Sequence, residues 1–132
     1  MPFLRRLDPW LPPLLLMAVI YYLSDQPHLS SGLGLVDTIG RKLVHVLEYV
    51  VLCGLWWRAL RTRVATAPAL MAAVAVSVGY SITDEYHQTM VEGRAGSPFD
   101  VAIDTLGATA AAVAINRKIA PPATVSGRDS PT

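Results

Sequence analysis

The sequence predicts an all-α membrane protein, a compact bundle of four transmembrane helices, and three observations indicate this class. Only 16% of the 132 residues are charged, 52% are hydrophobic, and the mean hydropathy is +0.39. A soluble chain of this length has a large surface for its volume and needs more polar side chains to cover it. The apolar residues also fall into four separate stretches, and all 10 prolines lie outside their centres.

Charge and cysteine content exclude several other classes. The chain carries 11 Lys and Arg against 10 Asp and Glu, so no basic excess remains to neutralise the phosphates of a nucleic acid. High hydrophobicity with a net charge of only +1 excludes disorder over most of the chain. The one cysteine, Cys53, permits neither an internal disulfide nor a cysteine-based metal site. The expected partner is therefore the lipid bilayer and not nucleic acid.

The first predicted helix covers residues 10–23 and carries no charge. Trp10, Tyr21 and Tyr22 lie at its two ends, where aromatic side chains anchor a span at the membrane interfaces. A basic amino-terminal segment precedes it, as in a signal peptide, but residues 24–27 show no small-x-small cleavage pattern. We therefore expect this helix to be retained.

Three further helices are predicted over residues 43–60, 64–83 and 100–116. The second helix of the four carries His45 near its start, and the third has no charge at all. The apolar run of the fourth helix is interrupted only by Asp104. Each stretch is close to the length of about 20 residues that crosses a bilayer.

Small residues inside the predicted helices indicate tight packing. Gly54, Gly79 and Gly107 each lie well inside a helix, where the absence of a side chain lets two backbones approach closely. Two rows with small-xxx-small spacing point the same way: Ala73, Ser77 and Ser81, and Gly107 with Ala111. We expect one four-helix domain over residues 1–118, followed by a disordered cytoplasmic tail at residues 119–132.

The basic residues orient the bundle. With a cytoplasmic amino terminus, eight Lys and Arg lie inside and three lie outside, which fits the positive-inside rule. The eight are Arg5, Arg6, Arg58, Arg61, Arg63, Arg117, Lys118 and Arg128, and the three are Arg41, Lys42 and Arg94. Both termini are therefore expected on the cytoplasmic side of the membrane.

The acidic residues sort in the opposite direction. In the same topology, eight of the 10 acids lie in outer loops or at outer helix ends, namely Asp25, Asp37, Glu48, Asp84, Glu85, Glu92, Asp100 and Asp104. Ionisable groups that enter the helices do so from this outer face. Because burying a charge beside lipid is costly, such groups should face the bundle interior or a wet cavity.

Helical spacing brings these polar residues to three helix ends. Lys42, His45 and Tyr49 share one face of the second helix. Asp84, His87 and Gln88 share a face of the third helix with Glu85 to the side, and Asp100 and Asp104 lie one turn apart in the fourth. The economical inference is a single polar cluster at the outer membrane surface.

Each element also has a purely structural interpretation. His45 is compatible with a hydrogen-bonded packing residue, and Asp84 with Glu85 can simply mark where the third helix meets water. Asp100 is compatible with a helix cap. Asp104, a full turn inside an apolar helix, is the hardest to explain structurally, and three converging polar faces together favour a functional site.

Four short motifs, taken in order, carry a resemblance to a known family. They are Lys42-x-x-His45-x-x-x-Tyr49, Asp84-Glu85-x-His87-Gln88, Gly93-Arg94, and Asp100 followed by residue 104 and Gly107. In this order and at these helix ends, they resemble the VanZ-like family of small bacterial membrane proteins, named for a member associated with low-level teicoplanin resistance. That family commonly has Asn at the position of Asp104 and a second glycine near Ala111, so this chain departs from the pattern at both.

The resemblance implies a multi-pass protein of the bacterial cytoplasmic (inner) membrane that is linked to the cell envelope. It implies glycopeptide tolerance in some members without extending that property to this chain. It supplies no reaction, substrate or cofactor, so the cofactor stays unknown and the mechanism must be argued from the residues.

The first functional hypothesis is an envelope enzyme acting on a lipid-linked or amphipathic substrate at the outer leaflet. Its candidate catalytic residues are His45, Asp84, Glu85 and Asp100, and its candidate substrate-binding residues are Lys42, Tyr49, His87, Gln88, Arg94 and Asp104. An imidazole exchanges protons near neutral pH, so His45 is the candidate general acid or base. The basic side chains would hold a phosphate or carboxylate of the substrate.

A variant of the enzyme hypothesis places a divalent cation among four residues, because hard metals favour clustered oxygen ligands. The four are Glu85, His87, Asp100 and Asp104. No contiguous metal-ligand motif supports this variant, so the sequence predicts no metal site.

The second hypothesis is a non-enzymatic membrane binding module for an envelope lipid, peptide or glycopeptide. In that case the same charges form a satisfied network that holds the helices in register. A transporter or channel ranks last, because residues 64–81 offer no chain of polar relay groups through the inner half of the membrane. The small-residue rows serve a bundle and a homodimer equally, so the oligomeric state stays open.

Overall fold

The computed structural model of the protein describes residues 8–27 and 32–120. These ranges confirm the all-helical class: they contain four helices and no strand. The helices are α1 (Leu11–Ser24), α2 (Leu35–Leu60), α3 (Thr66–Gln88) and α4 (Pro98–Ile119). Most of the predicted tail at residues 119–132 lies outside the described residues, and α4 continues to Ile119, the first residue assigned to that tail.

Three of the four helices are long and apolar enough to cross a membrane, namely α2, α3 and α4. Helix α1 is a shorter apolar helix of 14 residues. At 1.5 Å per residue it is about 21 Å long, against a hydrocarbon core of about 30 Å. Helix α1 is therefore long enough to cross only a locally thinned bilayer, whereas α2, α3 and α4 are long enough for an ordinary one.

Helix α2 begins at Leu35, eight residues before the predicted start at residue 43. Arg41 and Lys42 interrupt the apolar run without interrupting the helix, because these long charged side chains are good helix formers. Asp37 lies in the first turn, where the helix dipole stabilises a carboxylate. As a result Lys42 and His45 lie inside a long helix and not at its first turn.

The bundle alternates in direction, as three ion pairs between its elements show. Asp8 and Arg58, 3.5 Å apart, join the start of α1 to the end of α2. At the opposite end of the bundle, Asp25 lies 3.2 Å from His87 at the end of α3. Lys42 pairs there with the first turn of α4, through Asp100. The polar residues of α2, α3 and α4 therefore share one end of the molecule.

The core between the spanning helices is built from small side chains. Cys53, Ala73, Ala108 and Ala111 form one buried cluster of α2, α3 and α4. A second cluster brings α1 against α2, and it consists of Ile20, Tyr49 and Leu52. Most large apolar side chains face outward instead, among them Leu14, Val51, Met71 and Leu106. An apolar exterior of this kind matches a lipid environment.

One of the three predicted glycine contacts is confirmed. A Cβ atom at Gly107 would lie 2.8 Å from the carbonyl oxygen of Val46, so α4 and α2 touch through their backbones at this point. The prediction is wrong for Gly54 and Gly79, because a Cβ at either position would meet nothing within 4 Å. These two glycines lie on open faces of their helices and not at a helix contact.

Candidate functional site

A polar pocket of about 290 Å³ opens at the end of the bundle where α3 ends and α4 begins. Residues from three helices and one loop line it, including Arg41, Lys42, His45, Gln88, Arg94, Asp100 and Asp104. Six of these seven belong to the sequence-predicted site, so the structure brings most of the predicted residues to one cavity. Arg41 is the one of these seven that the sequence did not single out as a site residue.

The floor of the pocket is formed by His45 of α2 and Asp104 of α4. The imidazole Nδ1 lies 3.5 Å from Asp104 Oδ1. The other carboxylate oxygen, Oδ2, accepts a hydrogen bond of 2.7 Å from the Ser81 hydroxyl on α3. Asp104 is only 1% exposed, whereas part of the His45 ring still reaches the cavity. The pair therefore joins three helices and exposes its imidazole side to the pocket.

Asp84 faces α1 and not the pocket centre. Its Oδ2 accepts hydrogen bonds from the Ser24 hydroxyl at 2.8 Å and from Gln88 Nε2 at 3.1 Å. All three residues are buried. Asp84 thus fixes the end of α1 to the end of α3, and Gln88 continues the network towards the cavity.

Glu85 faces the other side of α3, towards the loop that leads into α4. Its Oε2 accepts a 2.8 Å hydrogen bond from the Ser97 backbone N–H, and its Oε1 accepts a 3.4 Å bond from Gln88. A Cβ at Gly96 would lie 2.2 Å from the Glu85 carbonyl oxygen, so only glycine lets the loop pass this close. Glu85 is 5% exposed, and these two hydrogen bonds hold its carboxylate from both sides.

The rim of the pocket carries paired charges. Lys42 Nζ contacts Asp100 Oδ1 and lies 5.0 Å from the centre of the Phe99 ring. The helix cap at this point is Ser97, whose side chain accepts from the Phe99 N–H, so Asp100 is not the cap. Both charges of the Lys42–Asp100 pair remain partly exposed to the cavity.

Arg94 reaches from the loop to the end of α1. Its Nε donates to the carbonyl of Gln26 at 2.8 Å, and one of its Nη atoms donates to the carbonyl of Leu23 at 3.0 Å. The Gln26 carbonyl lies beyond the last residue of α1, and the Leu23 carbonyl also accepts from the Gln26 backbone N–H at 3.3 Å. The guanidinium therefore holds α1 in place while it lines the pocket.

Four of the ten predicted site residues do not line the pocket, namely Asp84 and Glu85, described above, and Tyr49 and His87. Tyr49 is fully buried and packs with Ile20 and Leu52, so its ring belongs to the α1–α2 contact. His87 points along the outside of α1, where it stacks on Tyr21 with ring centres 4.5 Å apart. The spacing of Asp84, His87 and Gln88 suggests one shared face, but a helix end flanked by two neighbours directs these side chains to different partners.

Two serines that donate hydrogen bonds to the buried carboxylates were not among the predicted site residues. Ser24 and Ser81 each donate to a buried aspartate, and both are themselves buried. Ser81 precedes Asp84 by three residues and Glu85 by four, so helical spacing alone places it beside them. That signal was available, although a small residue in a membrane helix is equally typical of packing.

An apolar crevice of about 400 Å³ adjoins the pocket between α1 and the first half of α2. Ile20, Leu23, Val36 and Val44 contribute its apolar wall, and the carboxylates Asp37 and Glu48 also line it. The crevice and the pocket share Arg41, His45 and Arg94 as lining residues. A polar cavity and an apolar one therefore meet at the same three side chains.

One group of side chains in the described ranges is close enough to hold a metal ion. One ligand atom each from His45, Glu85 and Asp104 lies within 4.8 Å of the others. The set differs from the cation variant considered for the sequence, because His87 turns to Asp25 and Asp100 pairs with Lys42. The cluster has one nitrogen ligand and two carboxylates.

One of three comparisons with known proteins returns a match. The model of the family described as VanZ/LLP1 matches residues 9–119, which includes all four helices and every residue of the pocket. The comparisons with curated proteins and with solved structures return no match. Since the family match extends over most of the chain, the protein belongs to the VanZ/LLP1 family.

Proposed function

We propose that this membrane protein binds an anionic, amphipathic molecule of the cell envelope and acts on its headgroup at the His45–Asp104 pair. The observation that carries the proposal is the meeting of the polar pocket with the apolar crevice at Arg41, His45 and Arg94. A molecule with a charged head and an apolar chain matches both cavities at once.

The headgroup is assigned a negative charge because of the cations at the junction. Arg41, Lys42 and Arg94 line the pocket, and Arg and Lys side chains bind phosphate and carboxylate groups through charge-assisted hydrogen bonds. Lys42 is paired with Asp100, so a ligand anion would share Lys42 with a carboxylate that already holds it in place. The volume of about 290 Å³ suits a small headgroup such as a phosphate ester.

The apolar part of the ligand is assigned to the crevice between α1 and α2. Ile20, Leu23, Val36 and Val44 give it an aliphatic part, and α1 is the helix that packs least extensively on the rest of the bundle. An acyl or prenyl chain that entered here from the lipid would bring its head directly to Arg94 and His45. Such an arrangement needs no exit of the ligand from the membrane.

A lipid probe tests the proposal. We expect dioleoyl phosphatidic acid with a photoreactive acyl chain to label the crevice residues Val36 and Val44 in nanodiscs containing EDTA, and unlabelled lipid to compete. Lys42→Gln should weaken binding about tenfold, because one charge-assisted contact contributes roughly 1.5–3 kcal/mol. Arg58→Gln removes the same charge at the opposite end of the bundle and should leave binding unchanged. Labelling that is not competed, or equal effects of the two variants, would contradict the proposal.

We place the pocket at the outer leaflet of the bacterial cytoplasmic membrane, with both termini in the cytoplasm. The support is the distribution of basic residues: Arg58, Arg61, Arg63, Arg117 and Lys118 lie at the ends of α2 and α4 that are remote from the pocket. The pocket would then face substrates of envelope assembly.

Reporter fusions check this orientation. Alkaline phosphatase, which is active only outside the cytoplasm, should be inactive when fused after Ala120 and active when inserted at Glu92 in the loop between α3 and α4. A cytoplasmic reporter at the same two sites should give the reciprocal result. The opposite pattern would place the pocket on the cytoplasmic face and refute the outer-leaflet assignment.

A binding module without turnover is the second candidate function. Its support is the number of site residues already engaged in contacts between helices, including Ser24 with Asp84, Ser81 with Asp104 and Arg94 with α1. A network of this kind stabilises a recognition surface without any reaction. For either candidate function, teicoplanin tolerance is one of the envelope phenotypes that a deletion strain would be scored for.

A further inference from the structure

We propose that His45, Glu85 and Asp104 bind a divalent transition-metal ion beside the pocket, at the His45–Asp104 pair that forms its floor. The inference goes beyond the proposed function, because it is argued from the buried charges and not from the ligand of the cavity. It also gives His45 a second role, that of a metal ligand through one ring nitrogen, beside the proton-transfer role considered for the sequence.

The first argument is geometric. The three residues come from α2, α3 and α4, and their ligand atoms lie within 4.8 Å of one another. Bonds of about 2.0–2.2 Å to a four-coordinate ion place its ligand atoms roughly 3.4 Å apart. Small side-chain rotations therefore close the cluster around one ion without any movement of the helices.

In the part of the chain that the structure describes, the buried carboxyl groups of this region outnumber the positive charges that pair with them. Asp84, Glu85 and Asp104 are 2%, 5% and 1% exposed. Within residues 8–27 and 32–120, the ion pairs of these three carboxyl groups amount to one, between Asp104 and His45. Burial of several carboxylates beside a single imidazole is costly unless a further positive charge compensates them. A divalent ion supplies that charge.

Asp104 also carries a buried carboxylate oxygen that has no hydrogen-bond partner among the described residues. Among the described residues, Asp104 Oδ1 is buried and accepts no hydrogen bond, and it faces His45 Nδ1 at 3.5 Å. His45 Nδ1 is likewise buried without a hydrogen-bond partner in this part of the chain. Buried polar atoms nearly always have hydrogen-bond partners. These two lie 3.5 Å apart, which is about the separation of two ligand atoms around one four-coordinate ion.

The surrounding hydrogen bonds are those that orient metal ligands. Ser81 donates to Asp104 Oδ2, which leaves Oδ1 for the ion. The Ser97 N–H and Gln88 hold the Glu85 carboxylate from two sides. Outer partners of this type fix the direction of a ligand, and their loss typically lowers metal affinity about 10–100-fold.

The donor set selects the class of metal. One imidazole nitrogen with two carboxylate oxygens suits manganese, iron or zinc better than the all-oxygen sites of calcium. The pocket above the cluster is open, so additional coordination positions face the cavity. An ion with open positions binds phosphate and carboxylate oxygens directly.

Manganese is the probe for the test. The full-length protein is placed in nanodiscs of zwitterionic lipid, stripped with EDTA and titrated with Mn²⁺, and electron paramagnetic resonance measures the free ion. We expect one Mn²⁺ per chain, with at least a 100-fold loss of affinity in Asp104→Asn and Glu85→Gln. Asp25→Asn is the matched control, because Asp25 lies at the same end but pairs with His87 outside the cluster.

A spectroscopic readout keeps the test independent of variant folding. The bound ion of the wild-type protein should show the nitrogen modulation of a coordinated imidazole, and His45→Gln should abolish it. Absence of saturable Mn²⁺ binding, absence of nitrogen modulation, or unchanged affinity in both carboxylate variants would each overturn the metal site. The lipid-binding experiment runs in EDTA, so its outcome separates failure of the metal site from failure of the proposed function.

Discussion

Gly107→Ala is expected to destabilise the bundle by about 1–3 kcal/mol, the usual cost of overpacking a close contact. A Cβ at this position would lie 2.8 Å from the carbonyl oxygen of Val46, which belongs to the α2 backbone and cannot rotate away. Helices α2 and α4 would have to separate. The measurement is thermal unfolding of the purified variant in detergent, followed by near-ultraviolet circular dichroism.

The chain offers a matched control for this substitution. Gly79→Ala also introduces a methyl group inside a spanning helix, but nothing lies within 4 Å of it. Alanine is favoured over glycine in a helix by about 1 kcal/mol, so Gly79→Ala should be neutral or stabilising. Equal melting temperatures for the two variants would show that the α2–α4 contact is not as close as the structure has it.

The second large effect is expected for His45→Gln. In the proposed enzyme its imidazole is the reactive group, and it faces both Asp104 and the open cavity. Replacement by an uncharged amide should lower turnover about 100-fold or more, the scale of contribution made by a positioned acid–base group. Lipid binding in EDTA should change less than about threefold, because Lys42 and Arg94 still line the pocket.

His87→Gln is the comparison for His45→Gln, because His87 lies at the same end but stacks on Tyr21 outside the pocket. Both variants are assayed by mass spectrometry of products from an envelope-lipid extract and by complementation of a deletion strain under envelope stress. If the wild-type protein yields no product and His45→Gln still complements, the enzymatic proposal falls and the binding module stands.

The end of the bundle that carries the site was predictable from charge sorting. Lys42, Asp100 and Arg94 were assigned to one membrane surface, and the structure places all three around one pocket. This succeeded because a charge is costly in lipid wherever the helices pack, so the positions of charges along the chain restrict the topology before any contact is known.

The partners of individual residues were not predictable in the same way. The pairing of His45 with Asp104 depends on the register between α2 and α4, which the backbone contact of Gly107 with Val46 sets. Tyr49 shares a helical face with His45, yet one turn deeper that face meets Ile20 of α1 and is closed. Helical periodicity gives the direction of a side chain but not the neighbour that it meets.

The contrast between a small, polar interior and an apolar exterior has a thermodynamic consequence. The buried residues include Ser24, Ser77 and Ser81, whereas the large aliphatic side chains face outward. When the helices of such a bundle separate within a bilayer, little apolar surface moves into water, so the heat-capacity change is small. Its stability should vary slowly with temperature, and cooling should not weaken it as it weakens the oily core of a soluble domain.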